Sequence, residues 1–276
     1  MSTVDPADSV DVEPVTARDG GRASEASKAG GKALHVLQTF EGMGNLYGVR
    51  DLARRADLPR STVHRLLAQL VESGFVMRVG SQYRLSLNFF SLGNRYVWGG
   101  ARGMREVARP HLGALFLQTQ YIVNLGVLDG ADVVCLEKLQ GPRAPGGVTV
   151  VGGRTPASLT ALGKAMLAFS TPETIGAALA RDLPRATPNS ITGAQALVRQ
   201  LQEIHEAGLA IDQEEASPGV VCVAAPVLIN GRQTAAVSIS APANQIDLDR
   251  FSSLVQRTAQ NLAVGLAVDR KYSITA

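Results

Sequence analysis

Apolar residues recur at helical spacing three times between residues 33 and 72, which predicts three short helices. In the first two helices the spacing i, i+3, i+4, i+7 is occupied by Ala33, Val36, Leu37 and Phe40, and by Val49, Leu52, Ala53 and Ala56. In the third, which follows the turn Asp57-Leu58-Pro59, the apolar stripe consists of Val63, Leu66, Leu67, Leu70 and Val71. A short helix is not stable alone in water, so we expect the three stripes to pack against one another.

A small hairpin is predicted directly after the third helix. The segment FVMRVGSQYRLS, residues 75–86, reads as two short strands around the two-residue turn Gly80-Ser81. Three short helices followed by such a hairpin indicate a winged helix-turn-helix over residues 28–86. Residues 1–27 lack periodic hydrophobicity and are predicted to form a disordered N-terminal arm, whereas the apolar periodicity of residues 87–104 predicts a linker helix.

The remaining residues, 105–276, alternate predicted helices and strands. Apolar strands flank Asp129-Gly130 and Asn230-Gly231, two dipeptides typical of tight hairpin turns. The pattern Thr192-x-x-Gln195 predicts a capping box that opens a helix, and a last amphipathic helix is predicted from Leu248 to Val268. Antiparallel hairpins with helices packed on them indicate an α+β domain.

The net charge of +3 is unevenly distributed along the chain. Residues 1–27 hold two basic and six acidic residues, a net charge of −4, whereas residues 28–85 hold nine basic and four acidic residues, a net charge of +5. Positive charge is therefore concentrated in the predicted winged helix-turn-helix, as in a module that binds a polyanion such as DNA. Charge alone leaves open a solvated basic surface that has no partner.

Composition narrows the class of protein. With 45% apolar and 18% charged residues, the chain of 276 residues is typical of a soluble globular protein. Its apolar runs are shorter than the roughly 18 residues of a membrane span, and its first residues lack the apolar core of a secretory signal. Two cysteines, Cys135 and Cys222, provide no disulfide framework, which favours a cytoplasmic location.

Sequence motifs for catalysis, metals and cofactors are missing. Ser158 and Lys164 lie close in sequence but lack the general base and oxyanion-loop signature of a hydrolase. The adjacent carboxylates Glu214 and Glu215 are expected to point in different directions, and the histidines have no metal-ligand spacing with the cysteines. The segment GGVTVVGG has neither a P-loop lysine nor GxGxxG spacing. We therefore expect no enzyme activity, no metal and no cofactor.

The third helix carries its polar side chains at its N-terminal end, as a helix that enters the major groove of DNA requires. Ser61, Arg65 and Ala68 point away from the apolar stripe, and an arginine there can contact guanine O6 and N7. Taken singly, each such residue is better explained by solvation, and the combination with the turn and the hairpin favours DNA binding. The residues predicted to contact DNA are Arg50, Arg60, Ser61, Thr62, His64, Arg65, Arg78 and Arg84.

Long stretches of the chain resemble one known family. VRDLARRADLPRSTVHRLLAQLVESGFVMRVGSQYRLS is similar to the DNA-binding domain of the IclR-type transcriptional regulators. TALGKAMLAF, GLAIDQEEASPGVVCVAAPV and AAVSISAPA resemble signature stretches of the family's C-terminal effector-binding domain. The resemblance implies a winged helix-turn-helix, a linker helix and a GAF-like α+β domain over residues 105–276. It also implies a homodimer, often a dimer of dimers (a tetramer), that binds operator DNA and responds to a small organic molecule.

The resemblance further implies an effector-binding pocket. The matching positions are Ala161, Leu162, Asp212, Val220, Cys222, Ser238 and Ser240. Ser238 and Ser240 alternate along one predicted strand, so both hydroxyls face the same side and suit a carboxylate or carbonyl, while Asp212 suits a hydroxyl, amide or water. Other interpretations stay open: Cys222 as a packed core thiol, Asp212 as a structural cap, and the two serines facing water.

The loop before the pocket departs from the family pattern. Ala144, Gly147 and Thr155 stand where some relatives carry bulkier apolar side chains, so we expect a roomier pocket that admits an aromatic acid. The chain is accordingly predicted to be a ligand-responsive, sequence-specific transcriptional regulator, a repressor of catabolic or metabolic genes with a small organic acid as effector. The alternative is a sensor domain that acts through protein contacts and carries a weak, non-specific DNA-binding module.

Overall fold

The computed structural model describes residues 25–40, 45–94, 103–142, 144 and 149–268. Contacts between residues divide the chain into two units, Met1–Arg95 and Tyr96–Ala276. Most of the predicted arm, residues 1–24, and the part of the predicted linker helix over residues 95–102 lie outside the described residues. Each unit is therefore described by itself.

Short amphipathic segments form the helices and the hairpin of the first unit. Its elements are α1 (Glu25–Gln38), β1 (Tyr47–Gly48), α2 (Val49–Arg55), α3 (Arg60–Glu72), β2 (Val76–Val79), β3 (Gln82–Leu85) and α4 (Asn88–Asn94). The three strands form an antiparallel sheet in the order β1-β3-β2. Gly80-Ser81 joins β2 to β3 as predicted, and Gly80 has a φ of 61°, which glycine adopts without strain. The strand β1 was not predicted, because two residues carry no periodic signal.

The predicted apolar stripes form the core of the first unit. Val63, Leu66 and Leu67 of α3 are at most 1% exposed, and they pack with Val36 of α1 and Leu52 of α2. Burying an aliphatic side chain of this size contributes about 2 kcal/mol. The core therefore orients α3, because rotating the helix would expose its apolar stripe.

The second unit is an antiparallel sheet with helices on both faces. Its elements are α5 (Met104–Thr119), β4 (Ile122–Asp129), β5 (Asp132–Leu139), β6 (Arg154–Pro156), a 3₁₀ turn (Ala157–Leu159), α6 (Ala161–Leu167), α7 (Pro172–Leu179), α8 (Ala194–Ala207), β7 (Ala210–Gln213), β8 (Val220–Ile229), β9 (Arg232–Pro242) and α9 (Leu248–Val268). The strand order is β6-β5-β4-β9-β8-β7. All neighbouring strands in it are antiparallel.

The two faces of this sheet carry different side chains. On one face, valines and other large residues such as Val223 and Val237 pack against α5 and α9. On the other face, Ala210, Ala224 and Ala236 pack with α6. Protein interiors are closely packed and leave few voids. Because the side chains on this second face are small, α6 therefore lies close to the sheet.

The hairpin turns of the second unit follow the predicted dipeptides closely. Asn230-Gly231 joins β8 to β9, and its two residues have φ values of 51° and 75°, as a two-residue hairpin turn of this sequence requires. After β4, the turn residues are Gly130-Ala131, one position later than predicted, because Asp129 still pairs with Asp132.

One predicted helix start is wrong. Gly193 is the N-cap of α8 and no side chain caps this helix, so the capping box expected from Thr192 and Gln195 does not form. Gly103 has extended backbone angles (φ −60°, ψ 149°) and is the N-cap of α5. The helix α4 lies within the predicted linker helix 87–104, whose residues 95–102 lie outside the described residues, so the linker helix stays a prediction.

Candidate functional site

The N-terminal half of α3 presents its polar side chains to solvent. Ser61, His64 and Arg65 are exposed and Thr62 is half-buried, whereas Val63 between them is fully buried. This sorting is the one predicted from the apolar stripe. A helix face with exposed hydroxyls, an imidazole and a guanidinium can donate hydrogen bonds to phosphates and base edges.

The other predicted DNA contacts lie around this helix face and on the hairpin. Arg50 and Arg60 are exposed at the starts of α2 and α3. Arg78 of β2 is exposed, and its Nε donates to the carbonyl of Gly80 at 3.0 Å. Arg84 of β3 is half-buried, and its Nε is buried without a partner among the described residues.

The two hairpin arginines begin on opposite faces of the hairpin. Arg78 pairs across the strands with Tyr83, and Arg84 pairs with Met77. Residues directly opposite each other share a face, and successive residues alternate between faces. The side chains of Arg78 and Arg84 therefore leave the hairpin on opposite faces, and one face of the hairpin presents only one of them to DNA.

In the second unit, all seven predicted effector residues line one cavity. Two rows of paired residues cross the sheet beneath it. One row runs from Asp212 through Cys222 and Ser240 to Ile122. The next row contains Ser238 and Asn124. Among the described residues, the lining is Ile122, Asn124, Thr149, Thr160, Ala161, Leu162, Asp212, Ala216, Ser217, Val220, Cys222, Ser238 and Ser240.

Helix α6 contributes Ala161 and Leu162 because it is held tightly against the preceding turn. The Thr160 hydroxyl accepts a hydrogen bond from the Gly163 N–H at 3.0 Å and caps the helix. A Cβ atom on Gly163 would lie 2.1 Å from the carbonyl oxygen of Ala157. Only glycine permits this approach, so position 163 sets how closely the helix start lies to the cavity.

Hydrogen bonds connect the polar groups of the cavity. Asn124 donates from Nδ2 to Ser238 Oγ at 3.3 Å and accepts at Oδ1 from the Thr149 hydroxyl at 3.2 Å. The Cys222 thiol donates to Ser240 Oγ at 3.0 Å. Within the part of the chain that the structure describes, neither serine hydroxyl donates to a protein group. Both hydroxyl protons are therefore available to an acceptor in the cavity.

Asp212 supplies the carboxylate of the cavity. It is 1% exposed, and its Oδ1 accepts a hydrogen bond from the Glu215 N–H at 2.6 Å. Burial, and to a smaller extent the charge of Glu215, raises the pKa of Asp212 to about 6. The backbone N–H groups of Glu215 and Ala216 and the Lys164 charge act in the opposite direction. Burial likewise raises the pKa of Cys222 to about 12, so its thiol stays neutral.

A buried ion pair lies directly behind Asp212. Lys164 of α6 is fully buried, and its Nζ donates to Glu215 Oε1 at 2.5 Å and to the carbonyl of Ile211 at 3.1 Å. Glu215 Oε2 is buried and has no partner among the described residues. No motif or spacing predicted this pair. The expectation that Glu214 and Glu215 point in different directions agrees with their partners: Glu214 is half-buried and accepts from the Gly219 N–H, whereas Glu215 is buried against Lys164.

The cavity is small. The space that the centre of a water molecule can reach is about 30 Å³, enough for roughly one or two ordered waters. Ala144 and Thr155, on which the expectation of a roomier pocket was based, are not among its lining residues, and Gly147 lies outside the described residues. The expectation of a roomier pocket therefore stays a prediction.

Two family models match this chain. Residues 100–264 match the bacterial transcriptional regulator IclR C-terminal domain, and residues 31–80 match the IclR helix-turn-helix domain. The chain belongs to the IclR family. It is 30% identical to the HTH-type transcriptional repressor AllR of Salmonella typhimurium over 259 residues, which cover 90% of this chain and 94% of AllR. It is also 30% identical to the HTH-type transcriptional regulator XynR of Escherichia coli K12 over 249 residues, 89% and 97% of the two chains.

Solved structures of IclR homologues share the fold. An IclR homologue of Microbacterium hydrocarbonoxydans, complexed with 4-hydroxybenzoate, is similar with a TM-score of 0.80 and 27% identity, covering 87% of this chain and 99% of that one. The IclR protein of Thermotoga maritima has a TM-score of 0.70 and 27% identity, with 86% and 98% covered. The predicted combination of an N-terminal winged helix-turn-helix and a C-terminal α+β domain is confirmed.

IclR-family proteins are DNA-binding transcriptional regulators and not enzymes, which agrees with the sequence analysis. Across the described ranges, no group of three or more histidine, cysteine or acidic side chains is placed to hold a metal ion. None of the described helices combines the length and the hydrophobicity needed to cross a membrane.

Proposed function

We propose that this IclR-family protein is a repressor of catabolic or metabolic genes whose affinity for operator DNA is set by a small organic acid bound in the cavity of the second unit. One observation carries the proposal: the seven residues implied by family resemblance, which come from four separate segments of sequence, all line the same cavity. The exposed polar face of α3 in the first unit supports the DNA-binding half.

The DNA contact is assigned to α3 and its neighbours. Arg65 reads a base pair through guanine O6 and N7, while the side chains of Ser61 and His64 contact phosphates or base edges. Arg60, Thr62 and Arg50 contact the backbone near the helix start. Arg78 and Arg84 leave the hairpin on opposite faces. Whichever face of the hairpin lies against the DNA, only one of the two arginines contacts the phosphate backbone there.

The polar groups of the cavity suit a ligand with two different ends. The free hydroxyl protons of Ser238 and Ser240 suit an acceptor such as a carboxylate. Asp212 lies two strands from Ser240, about 10 Å along the sheet, and suits a hydroxyl or amide at the other end. The ligand of the Microbacterium homologue, 4-hydroxybenzoate, has such a pair of ends, which supports an organic acid as effector here.

Because the cavity is small, we expect ligand binding to be coupled to a movement of the cavity walls. An aromatic acid is larger than roughly one or two waters, so we expect the walls formed by α6 and by Thr149 to separate from the sheet when it binds. A ligand that binds one arrangement better than another shifts the population towards it. A coupling of about 1–3 kcal/mol between the two sites, roughly 5- to 150-fold in operator affinity, is sufficient for regulation. We assign the operator-bound form to a homodimer or a dimer of dimers, as the family resemblance implies.

The test is a gel shift with the promoter beside the protein's own gene, at two salt concentrations and with sheared competitor DNA. We expect specific binding that 4-hydroxybenzoate, or a smaller acid such as pyruvate, alters. Ser238→Ala and Asp212→Ala should retain DNA binding and lose this response, whereas Ser253→Ala, a matched change on the exposed side of α9, should retain both.

Two outcomes contradict the proposal. Equal affinity for the promoter and for competitor DNA favours the sensor that acts through protein contacts. Loss of folding in both Ser238→Ala and Asp212→Ala, seen by circular dichroism, gives these residues a structural role in place of ligand binding.

A further inference from the structure

Three charged side chains are buried together at one wall of the cavity. Asp212 is 1% exposed, Glu215 4% and Lys164 0%. They come from β7, from the loop after it and from α6. The group that faces Asp212 from β8 is the Cys222 thiol, which is neutral because burial raises its pKa. Two carboxylates thus lie near one ammonium group, and the cluster carries one net negative charge when all three groups are ionised.

The ammonium group of Lys164 forms its ion pair with Glu215 and not with Asp212. Lys164 contacts Glu215 Oε1 at 2.5 Å and the carbonyl of Ile211 at 3.1 Å. In the described part of the chain, Asp212 has no ion pair and accepts hydrogen bonds from backbone N–H groups, that of Glu215 at 2.6 Å and that of Ala216. Asp212 is therefore the carboxylate without a cationic partner, and it is the one that lines the cavity.

An acid anion held by Ser238 and Ser240 would add a second negative charge to this enclosed site. Like charges near each other in a medium of low dielectric constant disfavour ionisation of both. Neither Lys164 nor any other cationic side chain lines the cavity as described. Uptake of a proton by the site lowers this charge.

We propose that the effector anion binds together with one proton, which protonates Asp212. The inference rests on the proposed function, in which the effector is an organic acid. The proton comes from solvent and forms an O–H bond at Oδ2, while Oδ1 still accepts the Glu215 N–H. The new O–H donates to an oxygen of the ligand, so a carboxylate that would repel the anion becomes a donor to it. Burial has already raised the pKa of Asp212 to about 6 before any ligand is present.

Isothermal titration calorimetry of the full chain tests this, with 4-hydroxybenzoate and with pyruvate as probes, in phosphate and in Tris buffer between about pH 6 and pH 8. The difference in heat between the two buffers gives the number of protons exchanged. We expect an uptake approaching one proton per site at the upper pH. Because one proton binds with each anion, the affinity should fall by up to about tenfold per pH unit above the pKa of Asp212.

The Asp212→Asn variant separates this role from a purely structural one. An asparagine keeps the acceptor for Glu215 N–H and places a permanent N–H donor towards the ligand. We expect it to bind the probe without proton uptake, with an affinity independent of pH and higher than the wild type at pH 8. Glu203→Gln, which removes an exposed carboxylate of α8, should keep the pH dependence of the wild type.

The outcomes are distinguishable. Wild-type binding without proton uptake overturns this inference and leaves the proposed function standing, whereas no binding of any acid at any pH removes the acid effector of the proposed function. A pH dependence that persists in Asp212→Asn but disappears in Glu215→Gln places the proton on Glu215 and overturns the assignment. Should Asp212→Asn fail to fold, the proton count of the wild type in the two buffers decides.

Discussion

Replacing Lys164 by methionine removes the cationic partner of a buried carboxylate and little else. Methionine is unbranched, flexible and of similar length, so it fills most of the same space in α6. The change leaves Glu215 without its contact at 2.5 Å and the Ile211 carbonyl without its donor at 3.1 Å. The side chains of Lys164 and Glu215 are 0% and 6% exposed, so water does not replace the lost partner.

The size of the effect follows from this burial. Removing one member of a buried ion pair typically costs about 3–5 kcal/mol, because the remaining charge is left uncompensated. For a unit of this size, each kcal/mol changes the unfolding temperature by roughly 2–4 °C. Lys164→Met should therefore lower the unfolding temperature of the second unit by roughly 10 °C. The double variant Lys164→Met/Glu215→Leu removes both charges and should recover most of the loss.

Urea unfolding of the full chain, followed by circular dichroism at neutral pH, measures these free energies. The control is Arg154→Met, which removes the exposed ion pair with Asp129 and should change the unfolding free energy by less than about 1 kcal/mol. The reasoning is refuted if Lys164→Met costs no more than this control, or if the double variant is no more stable than the single one.

Three further predictions concern DNA contact, pH and packing. Arg65→Ala should weaken operator binding by about 1–3 kcal/mol and relax the choice at one base pair, whereas Arg84→Ala should weaken operator and random DNA alike; equal losses on both DNAs for both variants, in competition gel shifts, would contradict the assignment. The folded-state pKa of Asp212, about 6, lies above its ordinary value of 3.8. The free energy of unfolding therefore falls as the pH rises between these two values, because the buried carboxyl group loses its proton less readily than in the unfolded chain. Asp212→Asn should therefore raise the free energy of unfolding in urea by up to about 3 kcal/mol at pH 8 and change it little below pH 4. Gly163→Ala places a Cβ at 2.1 Å from a backbone oxygen and should destabilise the fold by at least about 2 kcal/mol, while Gly176→Ala, where a Cβ meets nothing within 4 Å, should be neutral or stabilising in the same assay.

The first unit was predictable from the spacing of apolar residues because its packing follows directly from that spacing. The stripe of α3 identifies Val63, Leu66 and Leu67 as core. Because Ser61 and Arg65 lie on the opposite side of α3, burial of that stripe leaves both of them exposed. The assignment of this surface to DNA binding came from the family resemblance, because exposure alone is equally consistent with simple solvation.

The cavity was predictable only in part. Resemblance pointed to seven lining residues, but Asn124, Thr149 and Thr160 were missed although they line the same space. Asn124 and Ser238 are bonded across 114 positions of sequence, and nothing in the spacing of residues within β4 indicates which strand will lie beside it. The expectation of a roomier pocket stays a prediction, because Ala144 and Thr155 are close to the pocket in sequence but are not among its described lining residues.

The amino-acid sequence by itself determined most of the helices and strands, the buried side of each and the basic character of residues 28–85, because these depend on residues a few positions apart. Only the tertiary structure decided that Lys164, an ordinary surface residue by its type, is fully buried against Glu215 beside Asp212. The energy of a charge depends on its distance from other charges and from water, and both distances are set by which segments the fold brings together.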